Sequence, residues 1–343
     1  MIHTVGIVSL SSGIIGEDKV RFEVDIGVKR LEAMGLEVRF LPHARMGLDY
    51  VKEHPEDRAA DLLEAFRDPE IDLILCAIGG DDTARLLPWL FERDELKQAL
   101  TNKPFLGFSD TTANHLMLHK LGLPSFYGQS FLADLCELSP DMLPYTRHYF
   151  EALIRTGTIR EVRPSEVWYS SREHFTSDQV GVPLTSHPDR GWELLQGPPR
   201  FSGPILGGCI DSLYDMFEGE EYREIQLLNQ KYGLFPETED WRGRILLLES
   251  SEMLMPPETY RRALTLLKER GVFSVINGIL AGKPMDEKYQ EEYHRLLTEV
   301  VDDPNLPILA NLSIGHALPR CILPFGIEAH VDAEAQVIRF GSD

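Results

Sequence analysis

Short apolar runs alternate with amphipathic stretches through the first half of the chain. Thr4–Leu10 is apolar and β-branched, reads as a strand, and is broken by Ser11-Ser12-Gly13. Lys19–Met34 repeats its apolar positions at helical spacing and stops at Gly35. Leu36–Leu41 is the next strand, closed by Pro42. Pro55 suits the first turn of a helix through Arg67, where its missing N–H is no loss, and Asp68-Pro69 ends that helix. Ile71–Ile78 is almost continuously apolar, as a strand covered on both faces should be. Asp82–Leu90 reads as a helix, Pro104–Phe108 as a buried strand, Thr111–Leu121 as a helix and Ser125–Tyr127 as a short strand. Strand alternating with helix predicts an α/β fold with a parallel, doubly wound sheet.

The rhythm changes after Pro140–Thr156, one more helical stretch. Thr158 to Pro199 is polar and rich in turn formers, carries Trp168, Trp192 and several histidines, and reads as a linker with a long excursion over a site. Beyond it, Arg244–Leu248 is an apolar strand, Pro257–Arg270 a helix stopped by Gly271, Val272–Leu280 a strand and Glu287–Val301 a helix. Ile308–Leu312, Ala329–Val331 and Ala335–Phe340 read as strands. The expected division is a first domain over 1–160, a linker and covering segment over 161–199, and a second α/β domain over 200–343, richer in antiparallel strands. There is no internal repeat and no low-complexity tract.

Charge narrows the partners. The 343 residues hold 34 Lys+Arg against 55 Asp+Glu, a formal net charge of −21. This argues against nucleic acid or an anionic membrane surface as the main partner. The four cysteines, Cys76, Cys136, Cys209 and Cys321, form no C-x-x-C pair, which excludes a zinc ribbon or a thioredoxin motif. Reduced thiols in a cytoplasmic protein fit best. No stretch approaches the ~20 apolar residues of a membrane helix. No Lys or Arg precedes Lys19, so the start of the chain gives no secretory signal.

Sites in open parallel sheets lie beyond the carboxyl ends of strands. After Ile71–Ile78 comes Gly79-Gly80-Asp81-Asp82, where backbone N–H groups approach a ligand closely, or where the chain simply turns and caps a helix. No G-x-G-x-x-G and no Walker lysine follows. After Pro104–Phe108 comes Ser109-Asp110-Thr111-Thr112. Gly107-Phe108-Ser109 resembles a nucleophile elbow, although Thr111 replaces the second glycine and Ser109 alone also suits a helix cap. A serine nucleophile needs a base and usually an orienting carboxylate. His115 and His119 stand i, i+4, but Leu116 occupies the glutamate place of H-E-x-x-H, so packed or surface histidines fit better than a metal. His316 lies in the loop Ser313–Pro319 after an apolar strand. Glu249 ends the buried run Arg244–Leu248, a costly place for an unpaired carboxylate unless it has reached solvent. Glu252 and Glu258 lie nearby without that strand-end argument.

Ala77-Ile78-Gly79-Gly80-Asp81-Asp82, Leu106-Gly107-Phe108-Ser109-Asp110-Thr111-Thr112, Gly203-Pro204-Ile205-Leu206-Gly207-Gly208, Leu246-Leu247-Leu248-Glu249 and Gly315-His316 occur in this order. Together they resemble the LD-carboxypeptidase family of serine peptidases, which includes the microcin C self-immunity peptidases. The resemblance covers nearly the whole chain. It implies an N-terminal domain like the class I glutamine amidotransferases and a C-terminal swivelling-type β/α domain. It implies a Ser-Glu-His triad of Ser109, Glu249 and His316, with the N–H groups of Gly80 and Asp110 as oxyanion hole, no metal and no cofactor. It also implies a homodimer.

Two substrate classes follow from the resemblance: a murein tetrapeptide losing its terminal D-Ala from an L,D linkage, or an aminoacyl or peptidyl nucleotide of the microcin type. Ser165-Glu166-Val167-Trp168 and Gly191-Trp192 look more like the microcin branch, where aromatic side chains stack on the nucleobase. Trp192 is the candidate for that contact, with packing under a loop as the alternative. Gly79, Asp81 and Cys209 are the other candidate substrate contacts. Microcin-type members often carry Asn where this chain has Cys209. A glutamine amidotransferase relative is excluded by Ser109, since that class uses cysteine at the elbow. A small-molecule binding module is the competing non-enzymatic expectation.

Overall fold

The computed structural model describes residues 1–341. In the first half, β1 (Thr4–Val8), β2 (Glu37–Phe40), β3 (Leu73–Cys76), β4 (Phe105–Gly107) and β5 (Ser125–Tyr127) run parallel in the order β2-β1-β3-β4-β5. β1 and β3 are buried along their whole length, as their apolar runs require. Helices Arg21–Ala33, Pro55–Arg67 and Thr112–Lys120 connect them where the periodicity placed them. Asp82–Leu90 departs from expectation: a 3₁₀ turn at Thr83–Leu86 runs into a short helix, Leu87–Phe91. Pro88 lacks an N–H and clashes within a continuous helix, so it begins the second piece.

The second half places β10 (Arg200–Cys209), β11 (Ile245–Glu249), β12 (Gly278–Gly282) and β13 (Ile308–Leu312) side by side in parallel. Val272–Leu280 is not one strand. Val272–Ser274 forms a 3₁₀ turn after Gly271, and β12 starts only at Gly278. The helix expected from Glu287 starts at Gln290, because Asp286, Glu287 and Tyr289 all have positive φ. β14 (Leu323–Phe325) lies between the halves, antiparallel to β5 and parallel to β10, so one sheet crosses the whole molecule.

The segment 161–199 is more than a linker and cover. β6 (Glu161–Val162) pairs with β16 (Val337–Phe340), which pairs with β15 (Glu328–Asp332) alongside the start of β10. β9 (Glu193–Gln196) adds an antiparallel edge to β13. Only β7 (Val167–Tyr169) and β8 (Ser186–Pro188) stand apart, as a two-stranded ribbon. The ribbon touches the rest of the molecule where the Tyr169 N–H donates to the Leu318 carbonyl at 3.0 Å. All four cysteines are buried and free. Among the described residues, no helix is long and apolar enough to cross a membrane.

Candidate active site

The carboxyl ends of β4, β5, β10, β11 and β13 converge where β14 joins the two halves. After β4 the chain passes through extended Phe108 into Ser109, whose φ is 68°, and then into the 3₁₀ turn Ser109–Thr111 and the helix Thr112–Lys120. A serine held in the left-handed region costs about 1–3 kcal/mol and persists only where surrounding structure enforces it. The sharp turn aims Oγ out of the sheet. Gly79 leaves room for it, since a Cβ there would stand 2.7 Å from the Ser109 Cβ.

Glu249 ends β11, in register with Cys209 at the end of β10, and is 2% exposed. Its buried charge is matched by donors on both oxygens. Oε1 accepts the Tyr127 hydroxyl at 2.6 Å, and Oε2 accepts His316 Nδ1 at 2.8 Å. The loop after β13 delivers His316. It turns at Gly315, φ 75°, where any Cβ would land on the Glu249 carboxylate. Arg320 holds this loop by donating to the Gly315 and His316 carbonyls and pairing with Asp134 at 3.0 Å. His316 Nε2 then stands 3.0 Å from Ser109 Oγ. Thus Ser109, His316 and Glu249 form one hydrogen-bonded line. Burial alone would lower the His316 pKa, but Glu249 and Glu252 outweigh it and raise it to about 10.

The other predicted residues divide. The Asp110 side chain is buried, accepting Ser11 Oγ at 2.6 Å and the Thr83 N–H at 2.8 Å, and burial pushes its pKa up to about 6. Its carboxylate therefore braces the elbow, while its backbone nitrogen lies beside Ser109 and Gly79. Gly80 is exposed with φ 154°, and Asp81 beside it is exposed. Asp82 pairs with Arg58 at 2.6 Å and Arg85 at 3.3 Å, a structural role. Cys209 is 1% exposed; its N–H donates to Thr112 Oγ1 at 2.9 Å, and burial and then Glu249 push its thiol well up. It lines the floor beneath the line rather than an open surface.

Trp192 requires a correction. It is 6% exposed, packs in the core, and has both backbone groups bound by the Gln336 side chain. A ring so covered has no face for a nucleobase. Trp168, half-buried on the ribbon, stacks on His187 at 4.1 Å and adjoins the His316 loop through Tyr169. His115 is a packed histidine: Nε2 faces the Gly107 carbonyl at 3.1 Å, Nδ1 faces Ser125 Oγ at 2.7 Å, and burial lowers its pKa to about 4. Cys209, Glu249 and His316 each offer one atom within 4.8 Å of the others, a spacing that a metal would also accept. Glu249 and His316 already satisfy one another there, and the thiol stays protonated.

Tyr127 escaped the sequence, and Glu252 stood there only as a neighbour of Glu249. Tyr127 bridges the site, accepting the Ser109 N–H at 3.2 Å while donating to Glu249. Its signal was only its place at the end of a central strand. Glu252 Oε2 lies 3.0 Å from His316 Nε2.

An elbow serine, a strand-end glutamate and a loop histidine at the seam of an α/β sheet define a hydrolase-type arrangement. The chain belongs to the peptidase S66 family: the LD-carboxypeptidase N-terminal domain profile matches residues 5–128 and the C-terminal domain profile residues 202–331. It is similar to an MccF-like protein from Streptococcus pneumoniae, crystallised in complex with AMP, with 58% identity, a TM-score of 0.98 and 99% of each chain covered. The microcin C7 self-immunity protein MccF of Escherichia coli is 26% identical over 81% of this chain and 76% of its own. MccF in complex with aspartyl sulfamoyl adenosine shares the fold, with a TM-score of 0.79 and 23% identity over 99% of this chain and 96% of that one. A Bacillus subtilis protein named a probable murein peptide carboxypeptidase is 26% identical over 90% of this chain and 83% of its own.

Proposed function

We propose that this protein is a serine peptidase that hydrolyses the amide of an aminoacyl or peptidyl nucleotide. The line Ser109 Oγ, His316 Nε2 and Nδ1, Glu249 Oε2, with separations of 3.0 and 2.8 Å, carries the reading. His316 takes the Ser109 proton as Oγ attacks the acyl carbonyl. Glu249 fixes the ring tautomer and stabilises the imidazolium. The backbone N–H groups of Gly80 and Asp110 donate to the oxyanion; losing one such donor costs about 2.7–4 kcal/mol of barrier. The C–N bond then breaks, His316 passes its proton to the leaving nitrogen, and water hydrolyses the acyl-enzyme. The AMP complex of the Streptococcus pneumoniae relative supports a nucleotide leaving group. Trp168, beside the His316 loop, is the aromatic side chain best placed to meet a base.

The second reading, release of D-Ala from a murein tetrapeptide, rests on the Bacillus subtilis relative. Mass-spectrometric hydrolysis of aspartyl sulfamoyl-adenosine and a murein L,D-tetrapeptide in parallel separates the two. The expected result is cleavage of the nucleotide, reduced roughly 10,000-fold or more in Ser109→Ala. Release of D-Ala alone transfers the assignment to murein. Cleavage of neither favours a binding protein, and equal cleavage by the variant overturns Ser109 as the nucleophile.

A further inference from the structure

The turn after β11 places a second carboxylate on the base. Glu252 Oε2 and Ser109 Oγ stand at the same 3.0 Å from His316 Nε2, while Glu249 holds Nδ1 at 2.8 Å. An imidazole with a carboxylate at each nitrogen is stabilised as the imidazolium, one proton directed at each acid. In that form Nε2 has no lone pair for the Ser109 proton. Glu252 must therefore leave before Ser109 attacks.

Glu252 is free to do so. Its side chain is 60% exposed, Met253 beside it is 80% exposed, and Leu254 turns the chain with φ 51°. Ser251 anchors the base of the turn, its N–H and hydroxyl both donating to Asp211 at 2.9 and 2.8 Å. Rotation of one side chain, with the turn in place, uncovers Nε2.

Separating a carboxylate from an imidazolium is unfavourable unless another cation takes its place. Arg320, the cation besides His316 whose charge acts on Glu252, is already committed to Asp134 at 3.0 Å. The replacement must come from the substrate. We propose that Glu252 is a substrate-displaced latch on His316 and the receptor for the free α-ammonium group of the substrate's acyl residue. This rests on the serine peptidase reading above and deepens it. An aminoacyl nucleotide carries an ammonium on the carbon next to the scissile carbonyl, whereas a residue inside a peptide has that nitrogen tied up in an amide. The latch opens for the first class and stays shut for the second, which narrows the substrate proposed above from aminoacyl and peptidyl nucleotides to aminoacyl nucleotides.

The groups facing His316 are Glu249 from β11, Glu252 from the turn, Asp211 from the helix Ile210–Asp215, Cys209 from β10, and Arg320 from its own loop. Only Glu252 is both in contact with Nε2 and exposed. The test follows labelling of Ser109 by a fluorophosphonate across pH 5–9, read by intact mass, in the wild type and Glu252→Gln. The variant should label at least about tenfold faster at pH 7, with its acid limb moved to lower pH. In parallel, the wild type should cleave aspartyl sulfamoyl-adenosine at least about tenfold better in kcat/KM than its N-acetyl form, a preference lost in the variant. Labelling profiles that coincide, or a wild type indifferent to acetylation, overturn the latch while leaving the nucleophile intact. Absence of Ser109 labelling in both proteins overturns the latch and the peptidase reading together.

Discussion

Tyr127 does at the residue scale what neither half of the chain does alone. Its hydroxyl lies between the backbone of the serine, supplied by the first half, and the carboxylate of Glu249, supplied by the second. Burial and then Glu249 raise its pKa well above the ordinary phenol value, so it remains a donor. Tyr127→Phe leaves Glu249 buried with one oxygen unpaired, which should lower stability by about 1–3 kcal/mol in urea unfolding. It should reduce kcat about tenfold or more with little change in KM, because in the proposed mechanism the lost bond holds Glu249, the partner of the base, and touches no substrate. Ser109, Glu249 and His316 were legible as strand-end and loop residues of the right chemical types. Tyr127 was not, because a tyrosine in a buried strand has the same sequence signature whether it packs or bridges. Glu252 was visible only as a rival to Glu249, since sequence spacing does not say which nitrogen of a histidine a carboxylate will meet.

Among the elements, the ribbon and the chain between its strands depend on few anchors. Arg172 reaches from this segment to Glu137 at 2.7 Å, with both side chains at most 6% exposed, and also donates to the Val182 carbonyl at 2.8 Å. Arg172→Ala strands a buried carboxylate, and breaking a buried pair typically costs about 3–5 kcal/mol. Limited proteolysis should then cut first within Ser170–Pro183, at protease levels the wild type withstands. The polarity of this stretch correctly marked it as irregular. It concealed β6 and β9, because two- and four-residue edge strands are defined by their partners, β16 and β13, and not by their own periodicity. In the first half each strand is long or apolar enough to declare itself, so the expected order of strands and the observed one run in step as far as Tyr127, whereas the short helices Leu48–Glu53 and Glu95–Ala99 went unread.

Across the whole molecule, burial leaves several acids reluctant to ionise. Glu23 is raised to about 7 by burial and then by Glu137, and Asp215 to about 8 by burial and then by Asp211. A carboxyl group whose folded pKa lies above its unfolded value keeps an extra proton in the folded state. Stability therefore falls as pH rises from the unfolded value towards the folded one, and the penalty stays constant above it. For Glu23 that window runs from about 4.5 to about 7. Glu23→Gln should raise the urea midpoint at pH 8 and leave it nearly unchanged at pH 4. The net charge of −21 works in the same direction, through self-repulsion that grows as the acids ionise.

β14 also bears on how the protein is made. It occupies the middle of the sheet, between β5 and β10, yet the ribosome adds Leu323–Phe325 only after every other strand of the continuous sheet path. Until then β5 and β10 present unpaired backbone edges to each other and to any neighbouring chain. The nascent protein thus holds an open seam until that segment emerges, and its two halves are joined only after every other strand of the path has been made. A chaperone that shields strand edges would act longest at this seam, and a ribosome stalled short of Leu323 would leave a chain with both interior edges exposed.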